Sequence, residues 1–218
     1  ESDGETDEPP SERVLIIHTN VEDEEYTETP APAADDFDHL YQPPPHLREP
    51  FQPRAHQEAG IAWMQTLFSK SYPGGLLADD MGLGKTFQVL SFIKWHREGC
   101  NPEARPYLIV APVALLENWK KEYHKFFEPS PPPVEILHGD ALRDYVHGDV
   151  EAHWRKGADR LAEGGIYLTN YHSLRNYQLM FGAVDWALVA LDEAQKIKNP
   201  STQVTNAAKA LKADFKLP

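Results

Sequence analysis

Short apolar runs alternate with amphipathic segments along residues 51–218. Runs such as Leu108-Ile109-Val110 and Leu188-Val189-Ala190-Leu191 lack a polar residue at every second position, which is typical of strands buried on both faces. We predict strands over residues 75–78, 107–111, 134–138, 166–170 and 186–191. We predict helices over residues 54–69, 85–97, 115–127, 152–162, 173–181 and 202–212. Strands and helices in alternation indicate a three-layer α/β domain with a mostly parallel sheet.

Residues 1–50 have a different composition and are predicted to be an acidic, Pro-rich leader. Eight prolines interrupt this segment, and residues 1–38 hold 14 Asp or Glu against one base, Arg13. Such a stretch buries too little apolar surface to offset the entropy lost on ordering. The exception is 14–17, which is predicted either as a short strand left from an upstream domain or as part of an unstructured tail.

Composition excludes several classes of protein. The net charge of −13 belongs almost wholly to the leader, since the other 180 residues carry 20 acids and 20 bases. The single cysteine, Cys100, excludes a disulfide framework and a zinc site built on cysteine pairs. No apolar run is long enough to span a membrane, and the acidic start excludes a secretory signal. We therefore expect an intracellular protein with no membrane partner. We also expect its tryptophans to lie in the core.

A glycine-rich segment between a predicted strand and a predicted helix has the context of a phosphate-binding loop. Its backbone N–H groups would hold phosphates, the lysine would neutralise their charge, and the threonine hydroxyl would bind Mg²⁺. The strict pattern requires Gly where Asp79 stands, so an incidental glycine-rich turn is the alternative. The residues of the segment are Asp79, Asp80, Met81, Gly82, Leu83, Gly84, Lys85 and Thr86.

The apolar run that ends at Leu191 delivers two carboxylates, Asp192 and Glu193. In P-loop enzymes the first carboxylate holds Mg²⁺ and the second orients or deprotonates the attacking water. Such a site requires both carboxylates at the carboxyl end of a parallel strand, because ligands of open sheets bind there. An Asp-Glu pair that only caps a helix is the alternative. The phosphate loop that precedes this pair in the sequence favours the catalytic interpretation over the helix cap.

Together these motifs resemble the Swi/Snf-related group of superfamily-two helicase-like ATPases. Residues 79–86 (DDMGLGKT) and 191–200 (LDEAQKIKNP) match that group's versions of the two nucleotide motifs, and Gln195 stands where many members have His, as in prokaryotic members. Residues 54–64 resemble the segment whose Gln reads adenine, which assigns that role to Gln57. Residues 108–119 and 166–171 resemble its two DNA-backbone motifs. The DNA-binding residues implied are Pro112, Asn118, Thr169 and Asn170.

The resemblance implies that residues 51–218 are the first RecA-like lobe of a two-lobe motor. It implies ATP and Mg²⁺ as cofactors, with catalytic Lys85 and Glu193, and Thr86 and Asp192 as metal ligands. It also implies translocation on double-stranded DNA, remodelling of protein–DNA complexes, and a second lobe as partner. Without that lobe and its arginine fingers, we expect the 218-residue chain to bind nucleotide but hydrolyse it negligibly. In this class of sheet a central strand follows the carboxylate site, and we expect the chain to end as that strand starts.

Two alternatives stay open at this point. One is an RNA helicase or RNA-polymerase-associated translocase, which would use the same lobe on a different nucleic acid. The other is a non-catalytic module that binds nucleotide as a switch or mediates protein contacts. A prokaryotic member would be cytoplasmic and a eukaryotic one nuclear. The biological target and the role of the leader are left open by the sequence.

Overall fold

The structure is a computed structural model that describes residues 13–16, 27–30, 41–79, 82–129, 133–143, 145, 150–197, 199 and 202–218. The described strands are β1 (Arg13–Ile16), β2 (Thr27–Pro30), β3 (Tyr107–Val110), β4 (Val134–Ile136), β5 (Ile166–Thr169), β6 (Asp185–Leu191) and β7 (Lys212–Leu217). The described helices are α1 (Ala55–Ser69), α2 (Lys85–Gly99), α3 (Val113–Phe126), α4 (Asp140–Arg143), α5 (Val150–Ala162), α6 (Tyr171–Asn176), α7 (Gln178–Gly182) and α8 (Gln203–Lys209), with a 3-10 helix over Ala194–Ile197. No helix in these ranges is both long and apolar enough to cross a bilayer.

The central sheet has the strand order β4-β5-β3-β6-β7, and every described pair in it is parallel. Val110, the last residue of β3, lies opposite both Thr169 of β5 and Leu191 of β6. Three strands therefore end side by side at one edge, and the residues that follow them are brought together there. The predicted α/β class with a mostly parallel sheet is confirmed.

Two separate apolar cores cover the two faces of the sheet. On one face α1, α2 and α3 pack around buried residues that include Ile61, Phe92 and Phe215. On the other face α5 to α8 pack around Trp186 and its neighbours. The strands between them are buried on both sides, which explains their uninterrupted apolar sequences. The predicted three-layer arrangement is confirmed.

Four predicted elements differ from the structure. The strand predicted over 75–78 is not formed: Gly74 makes an isolated parallel bridge with Lys216, and within the described residues no strand pairs with 76–78. The helix predicted over 173–181 breaks at Tyr177 into α6 and α7, and the helix predicted over 202–212 ends at Lys209. The central strand, expected only to start, is described over six residues as β7, which pairs with β6 and carries the bridge to Gly74.

The end of the predicted leader packs onto the domain. Gln42 exchanges two hydrogen bonds with the side chain of Gln65 (2.8 and 3.0 Å) and accepts a third from the Trp95 indole (2.6 Å). Arg48 donates its backbone N–H to Phe126 O at 2.8 Å. The segment 41–50 thus belongs to the packed structure, while the domain boundary placed at 51 stays a prediction. The strand predicted over 14–17 is present as β1, which pairs antiparallel with β2.

A buried histidine connects α2 to β3. His96 is 1% exposed, and its Nδ1 lies 2.9 Å from the Tyr107 hydroxyl, which also accepts a hydrogen bond from Asn101 at 3.1 Å. Among the described residues His96 Nε2 is buried without a partner. Burial lowers the pKa of His96 to about 4, against a weaker opposing effect of the Asp214 charge. The imidazole is therefore neutral in the folded protein.

We predict that His96 makes folding sensitive to mild acid. Its folded pKa lies below the unfolded value, so its stabilising contribution is complete above pH 6.5 and is lost as the pH falls towards 4. Between pH 7.5 and pH 5 this loss is about 2 kcal/mol. Urea unfolding of the wild type and of His96→Gln at both pH values measures it. The variant should lose about 2 kcal/mol less than the wild type over this interval, and an equal loss in both proteins would contradict the prediction.

Candidate functional site

The phosphate-loop segment lies at the amino end of α2, as its sequence predicts. Gly82 and Gly84 have left-handed backbone angles, with φ of 90° and 80°, which side-chain-bearing residues adopt only at a cost. Lys85 and Thr86 open the helix, whose N-cap is Gly84 and carries no side-chain cap among the described residues. The amino end of α2, whose helix dipole favours an anion, therefore lies at this loop. Asp80 and Met81 lie outside the described residues.

Gln57 lies against this loop. Its side-chain amide donates to Leu83 O at 3.2 Å and its carbonyl accepts from Arg54 N–H at 3.0 Å. A Cβ atom at Gly84 would lie 2.5 Å from Gln57 Nε2, so a larger residue there would displace the end of the Gln57 side chain as well as strain φ. The structure brings Gln57 to the nucleotide loop, and its contact with adenine stays a prediction.

Asp79 fastens the loop where the general pattern has glycine. Its carboxylate accepts a hydrogen bond from Gln88 Nε2 at 3.0 Å, and its backbone carbonyl accepts one from Lys85 Nζ. Gln88 is fully buried, and Gly60 of α1 makes room for it, since a Cβ atom there would lie 1.9 Å from Gln88 Oε1. Sequence reasoning missed Gln88. The available signal was a polar residue between the apolar positions Phe87 and Val89 of α2.

The carboxylate pair follows β6 at the shared edge of the sheet. Asp192 is held at three points: its N–H donates to Val110 O at 2.8 Å, its Oδ2 accepts from Trp119 Nε1 at 2.9 Å, and its carbonyl accepts from the Tyr171 hydroxyl at 2.7 Å. Burial, and then the nearby charges of Asp192 and Glu193, raise the pKa of Tyr171. The tyrosine therefore keeps its proton and acts as the donor.

Glu193 adopts a left-handed backbone conformation with φ of 57°, which is rare for a residue with a side chain and costs about 1–3 kcal/mol. The turn points its side chain away from the core, and the carboxylate accepts a hydrogen bond from Gln195 Nε2. Such strain is concentrated at functional sites. The exposed carboxylate can reach a water molecule or a ligand in front of the strand ends.

A single cavity of about 350 Å³ joins the two motifs. Lys85 contributes from the loop, Asp192 and Glu193 from the end of β6, and Trp119 from α3. Thr86, next to Lys85, is half-buried. A hydroxyl and a carboxylate are oxygen ligands of the kind that Mg²⁺ prefers, and Lys85 supplies a positive charge for phosphates. The residues thus fit a magnesium-bound nucleoside triphosphate. A second cavity, of about 450 Å³, lies between Arg105, Trp154 and Asp185 and contains none of the predicted site residues.

The four residues assigned to DNA fall into two groups. Pro112 is the half-buried N-cap of α3, and Asn118, in the second turn of that helix, is exposed and makes a weak 3.4 Å contact with Glu122 Oε1. Thr169 and Asn170 are buried, and their side chains bond to Leu137 O and to the first N–H groups of α6. Both side chains are engaged in these hydrogen bonds, and a phosphate contact by Thr169 or Asn170 stays a prediction.

The similarity of the chain to known proteins agrees with this geometry. The model of the SNF2-related domain matches residues 56–217. The chain belongs to the SNF2-related family. It is 38% identical over 230 residues to the Zorya protein ZorD of Escherichia coli, covering all of this chain and 21% of that protein. It is 34% identical to a DNA excision repair protein ERCC-6-like of Danio rerio, over 72% of this chain and 10% of that protein.

Solved structures of the same family show the same fold. The Sulfolobus solfataricus SWI2/SNF2 ATPase core in complex with double-stranded DNA matches with a TM-score of 0.65 and 29% identity, over 81% of this chain and 33% of that one. The Sulfolobus solfataricus SWI2/SNF2 ATPase core domain matches with a TM-score of 0.62 and 29% identity, over 85% of this chain and 33% of that one. This chain thus spans about a third of those ATPase cores and about a fifth of ZorD. The predicted family and fold are confirmed.

We predict that Gly84→Ala destabilises the chain more than Gly82→Ala does. Both changes place a side chain at a left-handed φ, which costs about 1–2 kcal/mol. Only the alanine at 84 displaces Gln57 from Leu83 O, which adds about 1 kcal/mol, because none of the described residues has an atom within 4 Å of a Cβ at 82. Urea unfolding measures the difference.

Gln57→Ala serves as the control for that prediction. In a Gln57→Ala background the extra cost of Gly84→Ala should vanish, since the displaced amide is absent. An unchanged extra cost in that background would show that the contact with Gln57 is not the cause.

Proposed function

We propose that this lobe binds ATP with Mg²⁺ and, together with a second RecA-like lobe, forms a DNA-dependent ATPase that translocates on double-stranded DNA and remodels protein–DNA complexes. The observation that carries this proposal is the shared cavity of Lys85, Asp192 and Glu193. A phosphate-neutralising lysine, a metal-binding carboxylate and a second carboxylate are the parts that phosphoryl transfer to water requires. The side chains of these three residues line one cavity at the same edge of the sheet.

Each residue has a chemical role in this proposal. Lys85 and the N–H groups at the start of α2 hold the phosphates, and Thr86 and Asp192 hold the metal ion, which neutralises charge on the phosphates when bound. Glu193 orients the attacking water and accepts its proton. Gln57 faces the base, because an amide pairs with both a donor and an acceptor on adenine. Asp79 keeps the loop in shape through Gln88.

The accessible start of α3 is the surface proposed to meet DNA. Pro112 lies two residues after β3 as the N-cap of α3, and Asn118 is exposed on that helix, next to Trp119, which lines the cavity. Contacts there would be made to phosphates, which carry no sequence information. Affinity for DNA should therefore fall steeply as salt is raised. The structure of the archaeal relative with double-stranded DNA supports DNA over RNA as the partner.

The lobe by itself is proposed to be catalytically incomplete. In related phosphoryl-transfer enzymes an arginine supplied from outside the phosphate loop is worth about 10³–10⁵ in rate. A second lobe is the source of that arginine in this proposal, and the match of this chain to a third of a solved ATPase core is consistent with it. Robust ATP turnover by the 218-residue chain that Lys85→Ala abolishes would contradict this part.

The proposed function predicts ATP hydrolysis that duplex DNA stimulates. The two-lobe protein is assayed with no nucleic acid, duplex DNA, single-stranded DNA and RNA, and Glu193→Gln is run beside it as the control. We expect the strongest stimulation from duplex DNA, and a loss of about 10²–10⁴-fold in the variant, which keeps the shape of Glu193 but cannot accept a proton. Stimulation by RNA alone would favour an RNA translocase. No hydrolysis under any condition would favour a non-catalytic nucleotide-binding module.

A further inference from the structure

We propose that Trp119 and Tyr171 are positioning residues that couple DNA binding to the Asp192 carboxylate. Both side chains hydrogen-bond Asp192, and both belong to the segments that resemble DNA-backbone motifs. The inference rests on the proposed function, because it assigns a path between the DNA surface and the nucleotide cavity of the same lobe. It explains how a phosphate contact outside the cavity can alter the chemistry inside it.

Trp119 lies on the side of α3 that faces the cavity, whereas the exposed side of the helix is the one proposed to meet DNA. Its indole ring is 4% exposed and packs in the core with Leu116 and Tyr123, while Asn118 one residue earlier is exposed. The indole N–H donates to Asp192 Oδ2 at 2.9 Å, and a hydrogen bond to a charged acceptor is stronger than a neutral one. In the proposed path, DNA bound on the outer face of α3 shifts the helix and, with it, this N–H relative to the carboxylate.

Tyr171 forms the second connection, from β5. It directly follows Asn170, whose side chain caps α6 by accepting from the N–H groups of His172 and Ser173 at 2.9 and 3.0 Å. The tyrosine is 7% exposed and donates to the backbone carbonyl of Asp192 at 2.7 Å. The buried Asn170 side chain thereby positions the start of α6. Tyr171, the first residue of α6, in turn positions the backbone of Asp192.

The two connections act on different parts of Asp192. Trp119 holds one carboxylate oxygen and Tyr171 holds the carbonyl, while Val110 of β3 holds the N–H at 2.8 Å. Within the described part of the chain, Oδ1 accepts no hydrogen bond and is left for a metal ion. A shift of α3 or α6 on DNA therefore reorients Asp192 about its fixed attachment to β3. By linkage, nucleotide binding must change DNA affinity by the same factor.

Coupling is measured as a ratio of dissociation constants in the two-lobe protein. A fluorescent non-hydrolysable ATP analogue is titrated with Mg²⁺ in the presence and absence of a short duplex, and the duplex is titrated by anisotropy with and without the analogue. For the wild type we expect the two ratios to agree, at roughly 5–150-fold. In Trp119→Phe and in Tyr171→Phe, each of which removes one donor and keeps a ring, both ratios should fall towards one by about 3- to 10-fold.

Matched controls remove the same chemical groups elsewhere. Trp95→Phe deletes an indole N–H that bonds to Gln42 at 2.6 Å, and Tyr145→Phe deletes a hydroxyl that bonds to Glu135 at 2.6 Å. Neither residue contacts Asp192, so both ratios should keep their wild-type values. A structural role for the tested residues would lower the melting temperature without changing the ratios. If Trp119→Phe fails to fold, Tyr171→Phe tests the proposal by itself.

The outcomes separate this inference from the function on which it rests. Reduced ratios in the tested variants, with unchanged controls, support the coupling path. Wild-type ratios in Trp119→Phe and Tyr171→Phe, or a wild type that binds both ligands independently, overturn the inference and leave the ATP and DNA sites intact. A wild type that binds neither the analogue nor the duplex overturns the proposed function, and this inference with it.

Discussion

The hydrogen bond from Asp192 N–H to Val110 C=O is the constraint on which the rest of the site depends. It extends the parallel pairing of β3 and β6 by one residue and places the first carboxylate beside the exit of β3. Parallel strands aligned in this way deliver their following residues to one edge. The start of α3, the start of α6 and the carboxylate pair are therefore neighbours in space although 80 residues separate Pro112 from Asp192.

The same edge combines rigid and strained parts. Asp192 is fixed from three elements, while Glu193 beside it holds a left-handed backbone and an exposed carboxylate. The loop that carries Lys85 is fastened by Asp79 and Gln88 and is shaped by two glycines with positive φ. In the proposed function the Asp192 carboxylate would hold the metal ion beside Glu193, which favours the orientation of water because Asp192 does not have to be ordered when the ligand arrives.

The fold was predictable from sequence because apolar strands buried on both faces leave a strong signal. The predicted bounds of β3, β5 and β6 agree with the structure within two residues, the phosphate loop lies at the start of a predicted helix, and the carboxylate pair lies at the end of a predicted strand. The predicted strand over 75–78 failed because pairing depends on a partner strand and not on its own apolar residues. The hydrogen bond of Trp119 to Asp192 was invisible, since a tryptophan on the inner face of a helix has the same pattern whether or not its N–H has a partner. Likewise, Thr169 and Asn170 are buried because β5 lies inside the sheet, and the local sequence does not indicate this position.

The central claim is that the loop and the carboxylate pair form one site for ATP with Mg²⁺. Calorimetric titration of the chain with a non-hydrolysable ATP analogue, with and without Mg²⁺, tests it most directly in the wild type, Lys85→Ala and Asp192→Asn. We predict binding that Mg²⁺ strengthens in the wild type, weak binding in Lys85→Ala under both conditions, and binding in Asp192→Asn that no longer responds to Mg²⁺. An Asp192→Asn variant with the full wild-type response to Mg²⁺ would contradict the claim, because the carboxylate would then not belong to the nucleotide site.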